Sequence, residues 1–140
     1  MNLSPAQRHL ARIKAEQQAA QAAADSPHGR MIGGQHELMM AQLHAHLRTL
    51  KDIQSVERKI EAKRKMLVDF EDYVIGVLDA DGGAQDPLIA TMLVWHLDVG
   101  EWPRAITLAE YCLRHGLVLP DQYKRNLPTM LLDEVADAAI

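Results

Sequence analysis

Apolar side chains recur at helical steps through the first half of the chain. Leu43, Leu47, Leu50, Ile53, Val56, Ile60 and Leu67 are three, four or seven positions apart, and no Pro or Gly interrupts Gln35 to Met66. Such a stripe marks one face of a helix. Read as one element, the run predicts a rod ~45 Å long at 1.5 Å per residue. A seam this narrow calls for a partner helix, either folded back within the chain or from a second subunit. Leu43, Leu47, Leu50, Ile53 and Ile60 are therefore the candidate oligomerisation residues.

Other segments show helical periods with clear ends. Ser4, Pro5 and Gln7 form a capping-box start, from which a first helix is expected to run to about Ala24. After Leu10 and Ile13 its apolar face is mostly alanine, which suggests an arm that orders on a partner. "DSPHGRMIGG", Asp25 to Gly34, reads as a linker. Beyond Leu67 the pattern predicts helices from about Asp69 to Asp79, from the Asp86 cap and Pro87 to Val99, from Trp102 to His115, and from about Pro128 to Ala139. "LVLPDQYKRNLP" before the last of these is extended and turn-like. No strand pattern survives, so the fold class is all-α. The organisation expected is a basic helical arm and linker over 1–34, a long oligomerising helix over 35–67, and an acidic bundle over 68–140 with a helical hairpin at 86–116.

That hairpin holds both tryptophans of the chain, in "VWHLDVGEWPRAI". Gly100 closes one helix and Pro103 opens the next. Ala105, Ala109, Cys112 and Gly116 make a stripe of small side chains that lets the second helix approach Leu88, Met92, Trp95 and Val99 on the first. Trp95 and Trp102 are then packing plugs, one near the turn and one over the hairpin end. Asp98 to Tyr111 also has the look of a tetratricopeptide hairpin, the basis for an alternative reading as a protein-interaction scaffold, but one unit is visible where ~3 are usual.

Composition changes this picture little. Apolar residues are 48% and aromatics 4%, which favours close-packed helices over sheets. One cysteine argues for a reducing compartment, and the longest apolar run, "PLIATMLVW", falls short of the ~20 residues that span a bilayer. No membrane partner is expected. Charge adds more. Residues 1–65 carry eleven Lys/Arg against six Asp/Glu, and residues 66–140 carry four against thirteen. A basic half that can meet a polyanion precedes an acidic half that should not. Candidate DNA-binding residues are Arg8, Arg12 and Lys14 on the arm, and Arg58, Lys59, Lys63, Arg64 and Lys65 in "RKIEAKRK". No aromatic is interleaved with either cluster, so duplex contact fits better than single-strand stacking.

Candidate chemistry is sparse. Glu57 to Lys59 and Glu61 to Lys63, with Asp52 upstream, match the acidic-x-Lys half of a metal-dependent nuclease motif, a further alternative. That chemistry needs its carboxylates gathered around a divalent ion, and a charge-rich helix produces such matches readily. His44 and His46 diverge on a helix, and Cys112 belongs to the small-residue stripe. No catalytic residue, metal site or cofactor is assigned, and no glycine-rich cradle for ATP is present.

"SPAQRH" at Ser4 to His9, "GAQD" at Gly83 to Asp86, "WHLDVG" at Trp95 to Gly100 and "AITLAEYCLRHGLVLP" at Ala105 to Pro120 together resemble the small terminase subunit of temperate tailed bacteriophages that package DNA from cohesive-end sites, a family often labelled terminase endonuclease subunit. The resemblance spans most of the chain in matching order. It implies a protein of the host bacterial cytoplasm that binds the cohesive-end site of double-stranded phage DNA. It further implies a homo-oligomer, possible as a ring, that recruits the large terminase subunit with its ATPase for genome cleavage and packaging. Members of the family continue past the position of Ile140 with a helical region and a basic tail, so a truncated or short variant is expected here.

Overall fold

Ser4 and Gln7 cap the first helix reciprocally: the Ser4 amide donates to Gln7 Oε1 at 2.8 Å, and Ser4 Oγ accepts from the Gln7 amide at 3.2 Å. Donors that a helix start leaves unpaired are thereby satisfied. The computed structural model describes residues 3–25, 31–120, 123 and 125–139, the side chains of 24 and 25 excepted, and positions 26–30 of the linker read over 25–34 lie outside them. Helix α1 spans Pro5–Asp25, α2 Gly34–Lys51, α3 Val56–Met66, α4 Glu71–Ala80, α5 Pro87–Val99, α6 Trp102–His115 and α7 Leu127–Ala139. A 3-10 turn, Leu67–Phe70, leads into α4, where the sequence suggested one helix from Asp69. The described residues contain no strand, and the fold is all-α.

The first helix is not an undocked arm. Ala15, Ala19 and Ala22 are buried, packed along α4. A Cβ added at Gly76 would lie 2.5 Å from the Arg12 carbonyl oxygen and 2.8 Å from Ala15 Cβ. Two helices meet here almost backbone to backbone. The alanine face looked too thin because the partner surface is glycine rather than a large apolar side chain.

The run from Gln35 to Met66 is also not one rod. The helix stops at Lys51 and resumes at Val56. The amides of Asp52 and Ile53 bond back to Thr49 and Leu50 in a tightened last turn, and Ser55 Oγ accepts from the Arg58 amide at 3.3 Å to cap the new helix. A straight rod would carry half its stripe away from the core; the elbow folds both halves onto it. Leu43 and Leu50 are buried, and Leu47, Ile53 and Ile60 pack partly against the same core. The chain itself thus covers most of the stripe, where a second subunit was a possible cover.

Helix α5 is the centre of the molecule, with every side chain from Leu88 to Trp95 buried, as expected of a helix apolar all round. Phe70 meets Trp95 edge-on at 6.2 Å. Asp86 caps α5 by accepting from the Leu88 amide at 3.0 Å. Its other oxygen accepts from the Tyr73 hydroxyl at 2.6 Å, and that hydroxyl lies 2.9 Å from His36 Nδ1. This buried polar chain ties α2, α4 and α5 together.

The α5–α6 hairpin forms about Gly100, left-handed at φ 76°. Ala105 and Cys112 are buried, and Ala109 half-buried. Trp95 is 1% exposed and plugs the core, but Trp102 is 36% exposed and does not. It shares its stripe with the half-exposed Ile106 and Leu113, whereas α6 turns Ala105, Leu108 and Cys112 inward.

Candidate nucleic-acid interface

The elbow between α2 and α3 creates a basic groove. Arg48 and Lys51 end α2, where cations complement the helix dipole, and Lys59 and Lys63 stand one turn apart on α3. They line an open groove of about 680 Å³ with His44, over a floor that includes Leu47, Leu50, Trp95 and Tyr123. Lys63 is anchored rather than free: its Nζ donates to Asp98 at 2.7 Å and lies 5.9 Å from the Trp95 ring centroid. That bond pins α3 to the end of α5.

The cations singled out in the sequence divide into two groups. Arg8 Nε donates to Asp72 at 3.0 Å and Arg12 donates to the other Asp72 oxygen at 2.7 Å. Burial raises the Asp72 pKa, but hydrogen bonds from Arg12 and Arg8 more than offset this and hold it below the ordinary carboxylate value. Arg64 donates to the Val99 carbonyl at 3.1 Å. These groups, with Lys63, hold helices together. Arg58 and Lys65 are exposed on α3, Lys65 beside Glu61 at 3.8 Å, and Lys14 is exposed on α1.

Arg48 and Lys51 were missed as site residues because they lie far from the dense cluster at 58–65. Their spacing of three at a helix end, just before a capping serine, was the available signal. What no spacing showed was that the chain doubles back there.

The remaining candidates carry structural duties. Among the described residues no three His, Cys, Asp or Glu side chains are placed to hold a metal ion. Within the nuclease-like match, Lys63 is bound to Asp98. His46 Nε2 lies 3.0 Å from Asp69 Oδ2, while His44 faces the groove. Burial pushes the Cys112 thiol up to about 12, so it stays protonated and unreactive near neutrality. No described helix is long and apolar enough to cross a membrane.

Residues 40–140 match the family model of the phage small terminase subunit. Over 137 residues, 98% of the chain, it is 40% identical to "Terminase, endonuclease subunit" of Escherichia phage P2, and it spans 54% of that relative's length. No solved structure matches the chain. A match of this extent, in both the family comparison and the relative, places the chain in the phage small terminase subunit family.

Proposed function

We propose that this chain binds double-stranded phage DNA at the cohesive-end site and brings it to the large, ATP-hydrolysing terminase subunit for cleavage and packaging. Family membership supports a terminase role. The observation that carries DNA contact is the convergence of Arg48, Lys51 and Lys59 on one groove, beside exposed Arg58 and Lys65 on the same helix. Phosphates on a duplex would lie along this rim, each neutralised phosphate adding about 0.9 to the salt-dependence slope. Single-copy affinity from so few cations is weak, so self-association is part of the proposal: copies held together on one DNA multiply a weak grip.

The test is binding of the purified chain to a labelled cohesive-end duplex and to an unrelated duplex across a salt series. Affinity that falls steeply with salt and favours the cohesive-end sequence is expected; no binding to either at low salt overturns the proposal. Adding a divalent metal separates the nuclease alternative, which requires cutting without the large subunit. The relative in phage P2 carries an endonuclease name, but of the two acidic-x-Lys matches the second uses Lys63, which is already bound to Asp98.

A further inference from the structure

We propose that Asp98 masks Lys63, an autoinhibitory contact that withholds one groove cation from the duplex and keeps the grip of each copy weak. The inference rests on the DNA reading and names a regulation of that same groove. Arg48, Lys51 and Lys59 stay available to phosphates, while Lys63 on the same rim is held back.

Among the described residues, Lys63 is the rim cation paired with an acid. Its Nζ lies 2.7 Å from Asp98 Oδ2, and the two side chains are 20% and 31% exposed. A carboxylate oxygen at that distance stands where a phosphate oxygen would, since each is an anionic acceptor for one ammonium. Partial burial makes the pair harder to break than one in open water. The Trp95 ring, 5.9 Å from the same ammonium, adds a second attraction towards the groove floor.

Helix stability does not account for this acid. Asp98 is in the last turn of α5, at the negative end of the helix dipole, where an anion is unfavourable. A tie between α3 and α5 does not require it either, because the neighbouring Arg64 already donates to the Val99 carbonyl at 3.1 Å. What the carboxylate adds is negative charge at a groove cation. Helix α7 reinforces it: burial raises the Glu134 pKa, and the charge of Asp98 raises it further. The two acids repel, which drives Asp98 towards Lys63. A phosphate that takes Lys63 must break the pair and leave Asp98 near Glu134 without its cation. Weak binding by each copy lets the number of copies on one DNA set the overall affinity.

The test titrates labelled cohesive-end and unrelated duplexes with the full chain across a salt series, with melting recorded for every variant. Asp98→Asn keeps the shape and removes the charge, and Asp98→Ser replaces it if the amide disturbs folding. The variant should bind severalfold tighter than wild type at low salt, with a slope steeper by about 0.9 for the phosphate that Lys63 gains. Its advantage should then shrink about 3.5-fold between ~50 and ~200 mM salt. Adding Lys63→Gln to Asp98→Asn should abolish the gain. Glu110→Gln makes the same change in net charge at an exposed position outside the groove and should give none. A position-98 variant that keeps the wild-type slope overturns the proposal, as does a gain that survives Lys63→Gln or is matched by Glu110→Gln. In those cases the wild-type chain still binds and the DNA reading stands; a wild-type chain that binds neither duplex overturns both.

Discussion

Tyr73 donates its hydroxyl proton to Asp86 at 2.6 Å in the interior of the molecule, and the same oxygen lies 2.9 Å from His36 Nδ1. With that proton committed to the carboxylate, the phenol oxygen is left to accept from an Nδ1–H of His36. Replacing Tyr73 by Phe keeps the ring packing and leaves both neighbours short of a partner. The expected loss is about 1–3 kcal/mol, read as a lower urea midpoint with an unchanged slope.

Two buried carboxylates should pull the pH dependence of stability in opposite directions. Asp86 is raised by burial, against the opposing influence of His36, the Tyr73 bond and backbone amides. The unfolded chain therefore loses this proton first, and stability falls as pH rises from the ordinary carboxylate value, ~3.9, towards the folded value. Asp72 is lowered by Arg12 and Arg8 in spite of its burial. Its contribution is present above ~3.9 and is lost as pH falls through the folded value. Asp72→Asn should flatten the acid-side loss. Asp86→Asn keeps an N-cap side chain and should remove the opposing decline. Urea midpoints measured between pH 3 and 7, about the range in which carboxylates titrate, check both signs.

Close contact of α1 with α4 makes Gly76 a sensitive position. An alanine there places Cβ against the Arg12 carbonyl, which is backbone and cannot rotate away. Separation of the helices should cost about 1–3 kcal/mol, and a larger side chain such as Val more. Thermal melting followed by circular dichroism measures it; an unchanged midpoint would show that α1 is not held this tightly.

The two tryptophans should report different surroundings. Trp95 is buried against Phe70 and beside Lys63, and Trp102 stands at the surface. Iodide should quench only the Trp102 fraction of the fluorescence. Trp95→Ala is expected to cost about 3–5 kcal/mol, and Trp102→Ala to stay within ~0.5 kcal/mol in the single chain, as exposed substitutions do.

Cations of the groove and cations of the core should separate in DNA binding. Neutralising Lys51, Lys59 and Arg58 together is expected to lower the salt slope by up to ~2.7, or about 0.9 for each phosphate left without its cation, with little change in melting. Arg12→Ala should instead lower the melting point while leaving the slope largely intact, because its guanidinium is held by Asp72. Both are measured by titrating labelled duplex at several salt concentrations.

Local chemistry was legible in the chain wherever a few neighbouring residues decide the outcome. Ser4 with Gln7, Asp86 with Pro87, and Gly100 and Gly116 mark the ends that the structure shows, because caps and left-handed residues act over one helical turn. Buried positions such as Leu43, Leu50, Trp95 and Cys112 followed from periodicity. Only the tertiary structure decided the rest. The elbow at Asp52–Ser55 contains neither Pro nor Gly, and it exists because both halves of an apolar stripe are covered only when the chain turns there. The alanines of α1 required Gly76 and its neighbours on α4 to become a core face. Whether an arginine reaches outward or holds Asp72 depended on a carboxylate some sixty residues away, since ion pairing follows distance in space and the sequence records only distance along the chain.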